Sequence, residues 1–316
     1  MLQGIPSISE ALSNPQMMSR LQEFDSYPDA KPPIQVPTEE MTVSGPHGPV
    51  PIRVYRPAPG CPVSGTGLVW MHGGAFQFGD LDMKEADWTA REMVNRAGAV
   101  VVSVDYRLVK DGVRYPVPLD DVVAVVGWVR NNLEGLRIDR VALGGASAGA
   151  HLAASAALQL RDEDCWAPEC LILVYPSAHF YMPEPSQSLK EVQAELPPVM
   201  TISHDFHRKT ITNYLGGDSF PTSPYAMPGE ADPTGLGPTL VINAEYDDLR
   251  ASGEAFSAGL AAAGVDIQQV LARGLLHGFL NLSADVEPVS AVLELMAQRL
   301  RRQGSYRRPP AGREKL

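Results

Sequence analysis

Residues 140–154 read RVALGGASAGAHLAA, and the order of their parts decides the fold. RVALG is a short β-prone run and AHLAA opens an alanine-rich helical stretch. Between them Gly145-Ala146-Ser147-Ala148-Gly149 matches the pattern G-x-S-x-G. A strand before this pentapeptide and a helix after it is the setting of a nucleophile elbow, a strained turn that lifts a serine hydroxyl clear of a sheet. Side chains in place of the flanking glycines would collide with neighbouring backbone. The helix that follows sets its N-terminal partial positive charge beside the oxygen.

Outward from this point, apolar runs alternate with helical stretches. β-rich runs fall at residues 42–44, 52–56, 67–71, 99–105, 140–144, 171–175, 239–244 and 267–271. From Gly67 onward they are continuously apolar, as in GLVWM and LILVYP, which suits strands covered on both faces of a mostly parallel sheet. Helical stretches lie at 84–97, 119–131, 148–160, 250–263 and 286–301, with Gly98, Gly135 and Gly264 as stop signals. Such alternation means a doubly wound α/β fold with right-handed crossovers.

Two regions break the alternation. Residues 8–24 read as an amphipathic helix followed by a proline-rich link, and an insertion of about 60 residues, too long for an ordinary loop, separates two core strands. The 28 prolines, about twice average usage, gather in that link and in the insertion. The expected organisation is residues 1–40 as the N-terminal part of a cap, 41–176 and 239–301 as the two parts of a catalytic core, 177–238 as the cap insertion and 302–316 as a flexible tail.

A serine hydroxyl is weakly nucleophilic and needs a base and an acid to orient that base. The chain supplies both after strands. The run 239–244 leads into Glu245-Tyr246-Asp247-Asp248-Leu249-Arg250, and 267–271 is followed by His277-Gly278-Phe279. Among the three acids Asp247 is preferred, Asp248 next and Glu245 last. His72-Gly73-Gly74-Ala75-Phe76 follows the run LVWM, so the amides of Gly73 and Gly74 are expected to form an oxyanion hole with that of Ala148. His72 reads as a loop anchor and His151 as a structural histidine. His204 and His207 lack the HExxH pattern of a zinc site; with His179 they lie in the insertion, where they can face substrate.

Composition bounds the partners. Lys plus Arg total 26 against 37 Asp plus Glu, a net charge of −11, which argues against binding nucleic acid. No stretch reaches the roughly 18 apolar residues of a membrane span. The N-terminal segment mixes Arg20, Glu23 and Asp25 with its apolar positions, which argues against a lipid-seeking face. Cys61, Cys165 and Cys170 leave at least one thiol unpaired, and the start has no signal-peptide pattern, so a soluble cytoplasmic protein is expected.

HGGAF, DYRL (Asp105–Leu108), GASAGAHLA, the YLGG and SPYAMP of the insertion, EYDDLR and HGF together resemble the hormone-sensitive-lipase-like carboxylesterases of the α/β-hydrolase superfamily. The resemblance covers residues 43–300 and implies that fold, with a helical cap over a mostly parallel sheet. It implies Ser147 as nucleophile, His277 as base, Asp247 as orienting acid and Gly73, Gly74 and Ala148 as oxyanion donors. It implies a small-molecule ester and water as substrates, no metal or organic cofactor, and allows a homodimer. The activity implied is a serine carboxylesterase working through an acyl-enzyme. Amide, carbamate or lactone hydrolysis on the same triad is the alternative, and a non-catalytic ligand-binding protein a remote one. Three departures stand out: Ala146 replaces the usual acid or threonine before the serine, Ala75 replaces a glycine, and VKDG and LRASG replace acidic stretches after DYRL and EYDD.

Overall fold

The structure is a computed structural model that describes residues 31–301 throughout, with residues 5, 7, 10–11, 14–17 and 19–20 of the N-terminal segment. Most of the helix expected over 8–24, and the tail at 302–316, lie outside the described residues. Eight strands form one sheet: β1 (Thr38–Gly45), β2 (Gly48–Tyr55), β3 (Thr66–Met71), β4 (Val100–Val104), β5 (Arg140–Ala146), β6 (Leu171–Val174), β7 (Thr239–Tyr246) and β8 (Ile267–Leu276). Their order is β1-β2-β4-β3-β5-β6-β7-β8. The hairpin β1–β2 and the β2–β4 pair are antiparallel, and every later pair is parallel.

The continuous apolar runs follow from burial on both faces. Along β3, Val69 and Met71 enter one apolar cluster and Leu68 and Trp70 the other; Leu171 and Leu173 oppose Ile172 and Val174 in the same way along β6. Helices α1 (Lys84–Ala97) and α8 (Glu287–Leu300) cover the Trp70 face, through residues such as Met93, Leu293 and Met296. On the other face lie α2 (Val117–Asn131), followed by the single turn α3 (Leu133–Leu136), and α4 (Ala148–Asp164), through Val122, Val126, Leu152 and Ala156. Residues closing that cluster also come from the segment after β6, which carries α5 (Gln187–Gln193) and α6 (His204–Leu215), and from α7 (Arg250–Ala262).

Each of the eight β-rich runs became a strand. The α3 turn and α5 are additions to the sequence reading, and α6 is longer than the short helical ITNYLGG suggested. The signals for α5 and α6 are capping serines: the Ser186 hydroxyl accepts from the Leu189 amide and the Ser203 hydroxyl from the Phe206 amide. The DYRL motif proves to be scaffolding. The Tyr106 hydroxyl donates to the His72 carbonyl at 2.8 Å, and Arg107 is paired with the buried Asp121.

Candidate active site

Ser147 sits between β5 and α4 at φ 53°, ψ −116°, a strained conformation for a residue with a side chain. Close approach of chains imposes the glycines around it. A Cβ at Gly149 would lie 2.1 Å from the Met71 carbonyl oxygen, and one at Gly145 would lie 2.4 Å from the Gly149 carbonyl carbon. The start of α4 is thereby pressed against the end of β3. Gly149→Ala is expected to cost about 3 kcal/mol, visible as a lower denaturation midpoint at unchanged m, with activity falling because the turn is displaced. An unchanged midpoint would mean that α4 can retreat freely.

The ends of β7 and β8 meet this serine. The Ser147 hydroxyl lies 3.0 Å from His277 Nε2, and His277 Nδ1 lies 2.8 Å from Asp247 Oδ2. Asp247 is buried, and its second oxygen accepts the Leu249 amide at 2.9 Å. A carboxylate can only accept, so Nδ1 carries the imidazole proton and Nε2 turns its lone pair to the serine. Burial alone would depress the His277 pKa. The charge of Asp247 and its hydrogen bond, with Glu85 and Asp248 behind them, reverse that and leave it raised.

The three contending acids are separated by their partners. Glu245 accepts from Arg273 and from the Gly274 amide, at 2.9 and 2.7 Å. Asp248 accepts from the Gln193 side chain at 2.8 Å and from the Ile202 amide at 2.6 Å, which ties the segment after β6 to the turn after β7. Asp247 is the acid that reaches His277. A register shift between Ala244 and Tyr246 in the β7–β8 ladder lies just before it, the kind of irregularity that re-aims side chains beside sites.

The expected oxyanion donors need one correction. The Gly73 amide does not face the cavity; it donates to Glu85 Oε1 at 2.5 Å. Gly74 and Ala75, both at positive φ, line the cavity together with Ala148, and among the described residues their amides have no acceptor. The free amides at this edge of the cavity are thus those of Gly74, Ala75 and Ala148, not that of Gly73. Glu85 was missed too. Its signal was an acid on the buried stripe Glu85, Ala86, Thr89, Ala90 and Met93 of α1.

A cavity of about 250 Å³ opens onto Ser147 and His277. Phe76, Phe78, Met83, Ile202, Phe206 and Leu249 make its walls largely apolar, while Ser177, His207, Thr210 and Asn281 add polar points. Of the histidines after β6, His207 lines the cavity; burial, with the charges of His204 and other neighbours, pushes its pKa down to about 4, so the ring is neutral. His179 bonds the Ser252 hydroxyl instead. His151 is buried between the Ser177 and Ala226 carbonyls, and His72 is buried against Tyr106. Ala146 lies within the apolar cluster on the α1 side. The three cysteines are free. Among the described residues no helix is long and apolar enough to cross a membrane, and no His, Cys, Asp or Glu group is arranged to hold a metal.

A family model described as the alpha/beta hydrolase fold matches residues 68–281. The chain is 33% identical to the esterase LipI of Mycobacterium tuberculosis over 255 residues, 78% of this chain and 76% of the relative. It is 33% identical to the carboxylesterase NlhH of the same species over 286 residues, 86% and 84% of the two chains. Among solved structures, the Pyrobaculum calidifontis esterase superposes with a TM-score of 0.75 at 34% identity, covering 85% of each chain. The carboxylesterase EstE1, cloned from a metagenomic library, gives 0.73 at 28% identity over 90% of this chain and 92% of its own.

Proposed function

Because the chain belongs to the alpha/beta hydrolase family, among its hormone-sensitive-lipase-like members, and is a carboxylic ester hydrolase, we propose that Ser147 is its nucleophile, His277 its base and Asp247 the acid that orients the base. The hydrogen-bonded run from Ser147 through His277 to Asp247 carries this reading. His277 takes the serine proton as Oγ attacks the ester carbonyl, then gives it to the departing alcohol. A water molecule, deprotonated by the same ring, releases the acid from the acyl-enzyme and restores Ser147.

The oxyanion of each tetrahedral intermediate is held by the amides of Gly74, Ala75 and Ala148. Each donor lowers the barrier by about 3–4 kcal/mol, because it is aimed in advance at charge that develops away from water. Residues 177–238, with the N-terminal segment that carries Ile5 and Ala11, form a cap over the core, which begins with β1 at Thr38 rather than at residue 41. Two observations support it: Ile202, Phe206, His207 and Thr210 wall the cavity, and Ile5 and Ala11 share an apolar cluster with Val199. The free thiols favour a reducing compartment, the cytoplasm.

The substrates are small, uncharged esters. The cavity is at or below the lower end of the usual range for ligand pockets, about 300–1,000 Å³, and its walls are largely apolar. Across p-nitrophenyl esters of increasing acyl length, kcat/KM is expected to peak at about two to six carbons and to fall beyond, as longer chains must displace the cap. A maximum with long acyl chains would reject the small-substrate reading. A faster matched anilide would reject the ester preference.

A further inference from the structure

Three carboxylates are buried among the described residues: Asp247, Asp121 and Glu85. Asp247 bonds His277, and Asp121 is paired with Arg107. Glu85 has no cationic side chain among its hydrogen-bond partners. Its Oε1 accepts the Gly73 amide at 2.5 Å and its Oε2 the Tyr175 hydroxyl. Burial pushes the Glu85 pKa up, while the Tyr175 hydroxyl, the Gly73 amide and the charge of His277 pull against that; each carboxylate oxygen is met by a donor, the arrangement an ionised carboxylate needs. Burying a lone carboxylate costs several kcal/mol unless a positive charge or several donors compensate it.

The compensating charge is that of His277 whenever its ring is protonated, as it is while Ser147 attacks. The Tyr175 ring lies 4.8 Å from that of His277, centroid to centroid, and the hydroxyl that it gives to Glu85 fixes its tilt. The Asn281 side chain, on the turn just after His277, accepts the Glu85 amide at 3.1 Å. One residue of α1 therefore joins the loop of Gly73, the end of β6 and the turn carrying His277.

We propose that Glu85 is a positioning residue for the hydrolysis, holding the Gly73 amide so that Gly74 and Ala75 point inward, and supplying, from α1 rather than from the turn after β7, a further negative charge that favours the imidazolium of His277 as Ser147 attacks. The inference rests on the triad reading above. No atom of Glu85 exchanges a proton: the serine proton passes to His277 Nε2, and Glu85 adds its charge to those of Asp247 and Asp248 around the cation so formed. His277 is faced by Asp247 and Asp248 from the turn after β7, by Glu85 from α1 and by Tyr175 from the end of β6. Glu85 is faced by Tyr175, Tyr106, His277 and the Gly73 amide. Burial pushes both phenols far up, so they stay neutral throughout.

The test is the pH dependence of kcat/KM on p-nitrophenyl acetate for Glu85→Gln and Glu85→Asp. The acid limb reports the base of the free enzyme. A negative charge nearby raises the pKa of that base, so removing it moves the limb to lower pH. For Glu85→Gln we expect a downward shift of about one unit and a fall in kcat of about tenfold, with KM within about threefold. Glu85→Asp keeps the charge and is expected to keep the limb. A folded Glu85→Gln with an unmoved limb and full kcat overturns the proposal, and so does a Glu85→Asp limb that moves as far as that of Glu85→Gln. A purely structural role would lower the melting temperature and leave the limb in place.

Should Glu85→Gln fail to fold, Tyr175→Phe removes one donor to the carboxylate and weakens its ionised form. A smaller shift in the same direction is then expected, and an unmoved limb overturns the proposal. Labelling by a fluorophosphonate separates the two levels of inference. Wild-type protein that is not labelled at Ser147 sinks the triad reading itself, whereas a labelled protein with an unmoved limb sinks only the role of Glu85.

Discussion

Ser147→Ala is expected to lower kcat/KM on an activated short-chain ester by about 10⁵- to 10⁶-fold, about 7–8 kcal/mol of transition-state stabilisation. The hydroxyl is lost, but the amides of Gly74, Ala75 and Ala148 and the apolar walls remain, so residual turnover above the rate in water and near-normal substrate binding should persist. The melting temperature should barely change, because alanine adopts the same positive φ and the flanking contacts of Gly145 and Gly149 are untouched. The burst of p-nitrophenol at the first turnover should vanish. A variant that keeps both burst and turnover would show that another atom attacks the ester.

The second large effect separates two neighbouring acids. Asp247→Asn is expected to cost about 10⁴-fold in kcat. The asparagine side chain offers an N–H₂ or a carbonyl to His277 Nδ1; when the N–H₂ faces the ring, Nδ1 becomes the acceptor, Nε2 carries the proton, and Ser147 loses its base. Asp248→Asn leaves the imidazole tautomer alone. It loosens the hold on Gln193 and on the Ile202 amide, whose residue walls the cavity. The expected result is a change of no more than about tenfold, carried by KM and by the acyl-length profile. Steady-state kinetics of both variants on one ester series decide it. The reverse ranking would move the orienting acid by one residue.

The fold was legible because its signals are local. A run such as LILV, covered on both faces, differs in kind from the amphipathic stripes of α1 or α8, and G-x-S-x-G between a strand and a helix leaves few alternatives. The pairing of strand ends with chemical groups was legible for the same reason: Asp247 and His277 each follow an apolar run. The choice among Glu245, Asp247 and Asp248 was a ranking, since three acids within four residues share one local context. Their directions depend on the ladder irregularity at Ala244 and on which donors other segments bring. The direction of the Gly73 amide was misread for a like reason. That amide is claimed by a carboxylate twelve positions on, across a turn, and only the packing of α1 against β3 brings them together.

Ala146 illustrates the converse. Its departure from the usual acid or threonine invites an expectation of a missing hydrogen bond, yet the residue is fully buried in an apolar cluster. Placing a carboxylate there would bury a charge in that apolar cluster, at a cost of several kcal/mol unless it found a partner.

The strand order carries a consequence for how the protein comes to life. Ser147, Asp247 and His277 follow β5, β7 and β8, which lie on one side of the sheet, while the loop that presents Gly74 and Ala75 follows β3, and β3 must pair with β5 across more than sixty intervening residues. Non-local parallel pairings of this kind close late and slowly. No N-terminal fragment that stops short of β8 contains both Ser147 and His277, so a nascent chain is not expected to hydrolyse esters until its last strand is made. The recovery of hydrolysis during refolding is accordingly a clock for the final steps of assembly, and should lag behind the return of helical signal, which needs only local contacts.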